Sequence, residues 1–230
     1  MDKHIIAIGG GGFGRKVTDL KIEEYIVSLS EKERPNICFL PTATGDSDSY
    51  KLSFYRAFTQ LECNPTHIDL FKRTIDLDSH INKQDIIYVG GGNTKSMLAV
   101  WKEWGLDLTL RNAYNNGVIM SGVSAGAICW FQKGITDSWE NDLAIINCLN
   151  FVNGICCPHY DEEDNRRPYV ERKIETGIIE NCFAIEGDCA LHIKNGVPLN
   201  SVRFSEGKNS YLVSCIDNEI MNKAYKPLIL

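Results

Sequence analysis

The sequence lacks the long runs that mark membrane proteins and nucleic-acid-binding proteins. No stretch approaches the roughly 18 apolar residues of a membrane-spanning helix, and the apolar run at residues 5–8 is far shorter than the core of a signal peptide. The formal net charge is -6, and no long basic run is present. We therefore expect no nucleic acid and no membrane as partner, and a cytoplasmic location.

The nine cysteines include no C-x-x-C pair, the spacing that would indicate a zinc site or a redox motif. The adjacent Cys156 and Cys157 precede His159, but no further ligands stand at a suitable spacing, so we expect no metal. Four other cysteines lie in apolar, strand-like runs: Cys38, Cys182, Cys189 and Cys215. Cysteines in such runs are typical of buried, reduced thiols and indicate a reducing compartment.

No linker, repeat or low-complexity segment divides the chain, so we expect a single domain over residues 1–230. Up to residue 130, apolar runs alternate with helical patterns, which predicts a mostly parallel sheet covered by helices. The predicted strands are residues 4–8, 37–40, 67–71, 85–89 and 118–120, and the predicted helices are residues 18–29, 49–61, 96–104, 106–115 and 165–179. From residue 189 onward, short runs and turns predict antiparallel strands. The predicted fold class is therefore α/β, with a mixed, mainly parallel sheet flanked by helices and antiparallel strands at the C-terminal end.

The first predicted strand is followed by a glycine-rich segment, residues 9–14. Its spacing matches the dinucleotide fingerprint G-x-G-x-x-G. The next predicted strand runs into Pro41, however, and not into the acidic residue that would hold a ribose. We therefore predict a loop at the carboxyl edge of the sheet, where ligand sites of α/β proteins lie, and no nucleotide site.

A serine stands at the centre of a G-x-S-x-G pattern at residues 122–126, between a predicted strand and a predicted helix. Small residues two positions before and after Ser124 let a sharp turn close, so that its hydroxyl stands clear of the sheet as a nucleophile. The amide of Ala125 would then be placed to hold an oxyanion. A second donor is expected from Gly91 or Gly92, in a glycine run after another strand. The alternative for both segments is a tight turn without chemistry.

Four segments, taken in order, resemble the dipeptidase E family of serine peptidases, the S51 type. They are residues 89–94, Val-Gly-Gly-Gly-Asn-Thr, residues 122–127, Gly-Val-Ser-Ala-Gly-Ala, residues 158–160, Pro-His-Tyr, and residues 186–187, Glu-Gly. The resemblance implies a fold like that of the class I glutamine amidotransferases, with Ser124 as nucleophile and His159 as general base. It implies Glu186 as the orienting carboxylate, with Asp137 as an alternative or auxiliary acid. No metal or cofactor is implied.

The same resemblance implies a small peptide substrate, with a preference for dipeptides that begin with aspartate. Candidate substrate-binding residues are Gly92, Asn93, Thr94 and Arg172. Arg166 and Arg167 are further candidates for the aspartate carboxylate, and the acids at residues 161–164 are candidates for the free amine. Val123 stands where well-known members commonly carry tryptophan, so the aspartyl preference stays open. The alternatives are another amide hydrolase of this fold, cyanophycinase-like or an amidase, and a ligand-binding homologue without catalysis. We expect a monomer or a homodimer.

Overall fold

The computed structural model describes residues 2–15, 19–140 and 142–230. The helices are α1 Lys21–Ser28, α2 Asp48–Phe58, α3 Leu77–Ile81, α4 Thr94–Trp104, α5 Leu106–Asn115, α6 Ala125–Ile128 and α7 Arg166–Glu175. The strands are β1 His4–Gly10, β2 Asn36–Leu40, β3 Asn64–His67, β4 Ile86–Val89, β5 Ile119–Val123, β6 Phe131–Thr136, β7 Ala144–Asn147, β8 Val152–Cys157, β9 Asn181–Ile185, β10 Cys189–Lys194, β11 Val197–Arg203, β12 Ser210–Ile216, β13 Glu219–Ala224 and β14 Pro227–Ile229. Within these residues, no helix is long and apolar enough to cross a membrane.

The larger sheet has eight strands in the order β14-β11-β10-β1-β5-β4-β2-β3. The five strands from β1 to β3 in this order pair in parallel. In contrast, β10 runs antiparallel to β1 and to β11. All residues of β4 and β5 are buried, as expected for parallel strands that helices cover on both faces. The carboxyl ends of β1, β4 and β5 therefore meet at one edge of the sheet.

A second sheet of six strands has the order β13-β12-β9-β8-β6-β7. Its strands follow in sequence the sharp turn at residues 122–126, between β5 and α6, which we call the elbow. Its central strands β6, β8 and β9 are parallel, and β12 pairs antiparallel with both β9 and β13. The short helix α6 contacts β1, β4 and β5 of the larger sheet and β6 and β8 of the smaller one. The elbow residue that precedes α6 thus lies where the two sheets adjoin.

Alternate residues of β1 pack into two different cores. Ile5 and Ala7 join one core together with Trp101 of α4. Ile6 and Ile8 join the core on the opposite face, beneath α1 and α2. The second core contains a cluster of aromatic rings: Phe13, Phe39, Phe54, Phe58 and Tyr88. Burial of large side chains on both faces fixes the position of β1, and hence of the loop that follows it.

The predicted fold class is confirmed, and the strands β10 to β13 pair antiparallel as expected, whereas β14 pairs in parallel with β11. The predicted strand at residues 67–71 is wrong, because β3 covers Asn64–His67 and the next residues bend away. The carboxylate of Asp46 accepts hydrogen bonds from the amides of Leu70 and Phe71, which ties this segment to a loop. The helix that follows the elbow, α6, is a single turn. The predicted helix 18–29 corresponds to α1, and its first residue, residue 18, lies outside the described residues.

The substitution Gly126→Ala tests the close approach of the elbow to β4. A Cβ atom on Gly126 would lie 2.2 Å from the carbonyl oxygen of Val89, which is backbone and cannot move without disturbing the strand. We expect the free energy of unfolding, measured by urea denaturation, to fall by about 3 kcal/mol, the upper end of the usual cost of overpacking.

The matched control is Gly177→Ala, at the end of α7. Gly177 has a φ of 69°, but a Cβ atom there would meet open space. The control should therefore lose only about 1 kcal/mol, the strain of a left-handed residue. Equal losses in the two variants would show that the contact with Val89 does not constrain the elbow.

Candidate active site

Ser124 lies in the sharp turn between β5 and α6, with φ 58° and ψ -113°. A non-glycine residue in this region is strained and persists only where its surroundings enforce it. The amide of Ser124 donates to the carbonyl of Ile8 on β1 at 3.0 Å, which holds the turn against the larger sheet. A Cβ atom on Gly122 would lie 2.5 Å from the carbonyl oxygen of Gly126. The glycines of the G-x-S-x-G pattern are therefore required by backbone packing.

His159 follows β8 and is buried beside Ser124. Its Nε2 atom lies 2.8 Å from Oγ of Ser124, so the serine hydroxyl can donate to the ring. The backbone of His159 has a φ of 53°, and its amide donates to the carbonyl of Gly9 at 3.1 Å. The two residues predicted as nucleophile and base thus stand in direct hydrogen-bonding contact, in the geometry that nucleophile activation needs.

The carboxylate that contacts the other ring nitrogen belongs to Glu162. Its Oε2 atom lies 2.5 Å from Nδ1 of His159, while Oε1 accepts a hydrogen bond from the guanidinium of Arg15. His159 and Glu162 belong to one turn, because the amide of Glu162 donates to the carbonyl of His159 at 3.1 Å. Burial alone would raise the pKa of Glu162, but the hydrogen bonds from Arg15 and His159 bring it below its usual range. Glu162 is therefore ionised and holds the imidazole with Nδ1 as donor.

Two glycines leave the space that the Glu162 carboxylate occupies. A Cβ atom on Gly10 would lie 2.5 Å from Oε2 of Glu162 and 2.9 Å from Nδ1 of His159. A Cβ atom on Gly187 would lie 2.2 Å from Oε1 of the same carboxylate. Gly10, the last residue of β1, and Gly187, in the Glu-Gly pair after β9, therefore both leave room for the Glu162 carboxylate because they lack a side chain.

The structure places the two predicted acids elsewhere, which corrects their expected pairing with His159. Glu186 is buried, and its Oε2 atom accepts a hydrogen bond from the amide of Asn209 at 2.8 Å. This contact joins the end of β9 to the start of β12, which is a structural task. Asp137 has an exposed side chain 3.8 Å from Nη2 of Arg166. Neither carboxylate holds the imidazole in this structure, because the turn after His159 supplies a nearer one.

The predicted oxyanion donors lie beside Ser124, the predicted nucleophile. Ala125 is the first residue of α6 and follows Ser124 directly. Gly91 is also adjacent, since a Cβ atom on it would lie 3.3 Å from Cβ of Ser124. The amide of Gly91, however, donates to the hydroxyl of Tyr50 at 3.3 Å.

The predicted substrate-binding residues make structural contacts near the site, and none of them lines the cleft beside Ser124. A Cβ atom on Gly92 would lie 2.3 Å from the carbonyl oxygen of Ala43, so this glycine allows a close backbone approach. Asn93 caps α4 by accepting from the amide of Ser96, and Thr94 is buried. Arg172 lies on α7, with its guanidinium over the ring of Tyr169.

A cleft of about 470 Å³ opens onto Ser124. Its lining residues come from five connecting segments, from α2 and from the end of β5: Gly11, Gly14, Arg15, Thr44, Ser47, Ser49, Tyr50, Ser53, Gly91, Val123, Ser124 and His159. Among them, Arg15 carries the one guanidinium or ammonium group, and its side chain is half exposed. Sequence reasoning missed Arg15 and Tyr50, and it considered Glu162 only as a possible acceptor for the amine of the substrate, not as the partner of His159. The His-x-x-Glu spacing in a turn after a strand is the signal that could have identified Glu162.

The chain is similar to peptidases over most of its length. A model of the family described as Peptidase family S51 matches residues 5–198. The Bacillus subtilis (strain 168) protein named Uncharacterized peptidase YgaJ is 46% identical over 219 residues, 95% of each chain. Peptidase E of Haemophilus influenzae is 28% identical over 80% of this chain and 86% of its own length. A crystal structure of a peptidase from an acI-B1 Actinobacterium shares the fold, with a TM-score of 0.66 at 14% identity over 99% of this chain and 95% of that one.

The substitution Glu162→Gln tests which carboxylate orients His159. Glutamine keeps the shape but removes the charge that stabilises the imidazolium, so the reactivity of Ser124 should fall by about 10⁴-fold, the usual loss when the carboxylate of a triad becomes an amide. This reactivity is measured as the rate at which a fluorophosphonate probe labels Ser124.

The matched control is Glu186→Gln, whose amide oxygen can still accept from the backbone of Asn209. We expect this variant to be labelled at the rate of the parent. A large loss in Glu186→Gln together with normal labelling of Glu162→Gln would reverse the assignment.

Proposed function

Because this chain belongs to peptidase family S51 and is a peptidase, we propose that it hydrolyses amide bonds of short peptides by a serine mechanism. The observation that carries the proposal is the continuous chain of contacts from Oγ of Ser124 to Nε2 of His159, and from Nδ1 to Glu162. The strained backbone at Ser124 supports it, because strain of this kind is characteristic of a nucleophile elbow.

In the proposed mechanism, Oγ of Ser124 attacks the carbonyl carbon of the scissile amide while Nε2 of His159 takes its proton. The anionic Glu162 stabilises the imidazolium and keeps the ring oriented. Collapse of the tetrahedral intermediate breaks the C–N bond, and the proton on His159 goes to the leaving amine. Water then attacks the ester on Ser124 with His159 again as base, which releases the acid and restores the hydroxyl.

The negative charge on the carbonyl oxygen requires hydrogen-bond donors close to Ser124. We assign the amide of Ala125 as one donor, because it belongs to the residue after the nucleophile. Gly91 lies on the cleft beside Ser124 and marks the position of the second donor. Loss of one donor from such a site costs about 10²–10³ in rate.

The proposed substrates are small peptides, including dipeptides with an N-terminal aspartate. A cleft of about 470 Å³ suits a ligand of this size. We assign Arg15 as the cation that binds the carboxylate of an acidic side chain in the substrate. A guanidinium has five N–H donors, so Arg15 can bind this carboxylate and that of Glu162 at once. Arg166, in contrast, is buried against Glu163 and the carbonyl of Ile135.

We also propose a cytoplasmic location on the basis of the thiols. All nine cysteines are unpaired, and seven of them are buried. Burial raises the pKa of thiols such as Cys38, which keeps them protonated and unreactive. Cys215 is exposed, in contrast to its predicted burial. Free thiols of this kind are typical of proteins in reducing compartments.

A peptide panel with the parent protein and the Ser124→Ala variant tests the function. The variant keeps the fold but loses the nucleophile, so we expect kcat to fall by about 10⁶-fold. Products are identified by mass, and thermal unfolding checks that the variant is folded. Equal turnover by parent and variant would refute Ser124 as nucleophile. Parent-only cleavage of peptides without N-terminal aspartate would keep the mechanism and refute the aspartyl preference.

A further inference from the structure

Tyr50, on α2, brings its hydroxyl to the backbone segment beside the nucleophile. The amide of Gly91 donates to this hydroxyl at 3.3 Å, and Tyr50 lines the same cleft as Ser124 and His159. The amide N–H of Gly91, which was expected to contact an oxyanion, therefore points at the phenol oxygen of Tyr50. No step of the mechanism above has yet used this hydroxyl.

The ring of Tyr50 is held in place by the two glycine-rich loops. A Cβ atom on Gly90 would lie 2.7 Å from Cε1 of the ring, and one on Gly14 would lie 3.2 Å from Cε2. The ring also packs edge-on against Phe39, with centroids 5.0 Å apart, and lies 5.5 Å from Phe13. Rotation of the side chain out of the cleft would break these contacts, so the hydroxyl is a fixed part of the site.

The phenol can donate while it accepts. A tyrosine hydroxyl carries one proton beside its acceptor lone pairs, so accepting from Gly91 leaves the proton available. Burial raises the pKa of Tyr50 to about 12, which keeps the hydroxyl protonated at neutral pH. Accepting a hydrogen bond also polarises the O–H group and makes it a stronger donor.

We propose that Tyr50 is a catalytic residue whose hydroxyl donates a hydrogen bond to the oxyanion of the tetrahedral intermediate, with the amide of Gly91 acting through it. The role rests on the proposed serine mechanism. No proton is transferred: the phenol keeps its proton, and the oxyanion forms when Ser124 adds and disappears when the C–N bond breaks. The Gly91 amide thus orients the donor.

The opposite role for Tyr50 is a plug that substrate must displace to reach the Gly91 amide. The two roles predict changes of opposite sign for Tyr50→Phe, which removes only the oxygen. If the phenol is a donor, kcat falls by about 10²–10³-fold, the cost of losing one oxyanion donor. If it is a plug, the amide is released and kcat stays equal or rises.

The matched control is Tyr55→Phe, one turn further along α2. The hydroxyl of Tyr55 contacts Nδ1 of His67 at 2.8 Å and does not line the cleft. We expect this variant to keep the kcat and KM of the parent, measured on a peptide that the parent cleaves.

Two affinity measurements separate a donor from a residue that merely supports the fold. A peptide aldehyde forms a hemiacetal with Ser124 that carries an oxyanion, so Tyr50→Phe should weaken its inhibition by the same factor as kcat/KM. The Kd of the uncleaved peptide, measured in Ser124→Ala with and without Tyr50→Phe, should stay unchanged. A parallel loss of peptide binding would overturn the catalytic role.

Replacement of Tyr50 by difluorotyrosine keeps the proposal testable if Tyr50→Phe does not fold. Fluorination lowers the pKa of the phenol, and a phenolate cannot donate. We expect activity to be lost as pH rises through that lower pKa, with no such loss in the parent. An unchanged alkaline profile would overturn the proposal.

Failure of this role and failure of the serine mechanism give different results. A parent that cleaves peptides and a Tyr50→Phe variant that cleaves them equally well would overturn the role of Tyr50 alone. A parent that cleaves no peptide and does not react with a fluorophosphonate at Ser124 would overturn the proposed function, and the role of Tyr50 with it.

Discussion

Close contact of backbone with backbone at the carboxyl edge of the larger sheet is the constraint on which the whole site depends. A Cβ atom on Gly126 would lie 2.2 Å from the carbonyl oxygen of Val89, and one on Gly9 would lie 2.2 Å from that of Glu186. These approaches hold the elbow against β4, and the carboxyl end of β1 against the residue that follows β9. The strained backbone of Ser124 persists because such contacts surround it.

The carboxylate that contacts His159 belongs to the same turn of the chain, and this determines which charges lie next to the imidazole. His159 and Glu162 lie in one turn, so their separation does not depend on how distant strands pack. Arg15 is half exposed, and an ion pair of this kind contributes at most about 1 kcal/mol to stability. Its importance lies in holding the Glu162 carboxylate ionised and in one position, beside a cleft that opens onto Ser124.

Much of the fold and part of the site can be predicted from the sequence. The strands β1, β2, β4 and β5 follow from apolar runs, whereas β3, with the sequence Asn-Pro-Thr-His, does not. The prediction of Ser124 as nucleophile follows from the G-x-S-x-G pattern, because that pattern depends on neighbouring residues. Glu162 is harder to identify from the sequence. Its contact with His159, in place of Glu186, depends on the positive φ of His159, which turns the chain after β8. The contact of Tyr50 with Gly91 joins residues 41 positions apart and leaves no local pattern. The single-domain organisation over residues 1–230 stays a prediction.

The hydrogen bond between Nδ1 of His159 and Glu162 is the contact on which the assignment of the site depends most directly. Proton NMR can observe it, because an imidazole N–H shared with a carboxylate resonates far downfield of other protons. We expect such a resonance in the parent and in Glu186→Gln, and its loss or large upfield shift in Glu162→Gln. A resonance that survives in Glu162→Gln and disappears in Glu186→Gln would contradict the site described above.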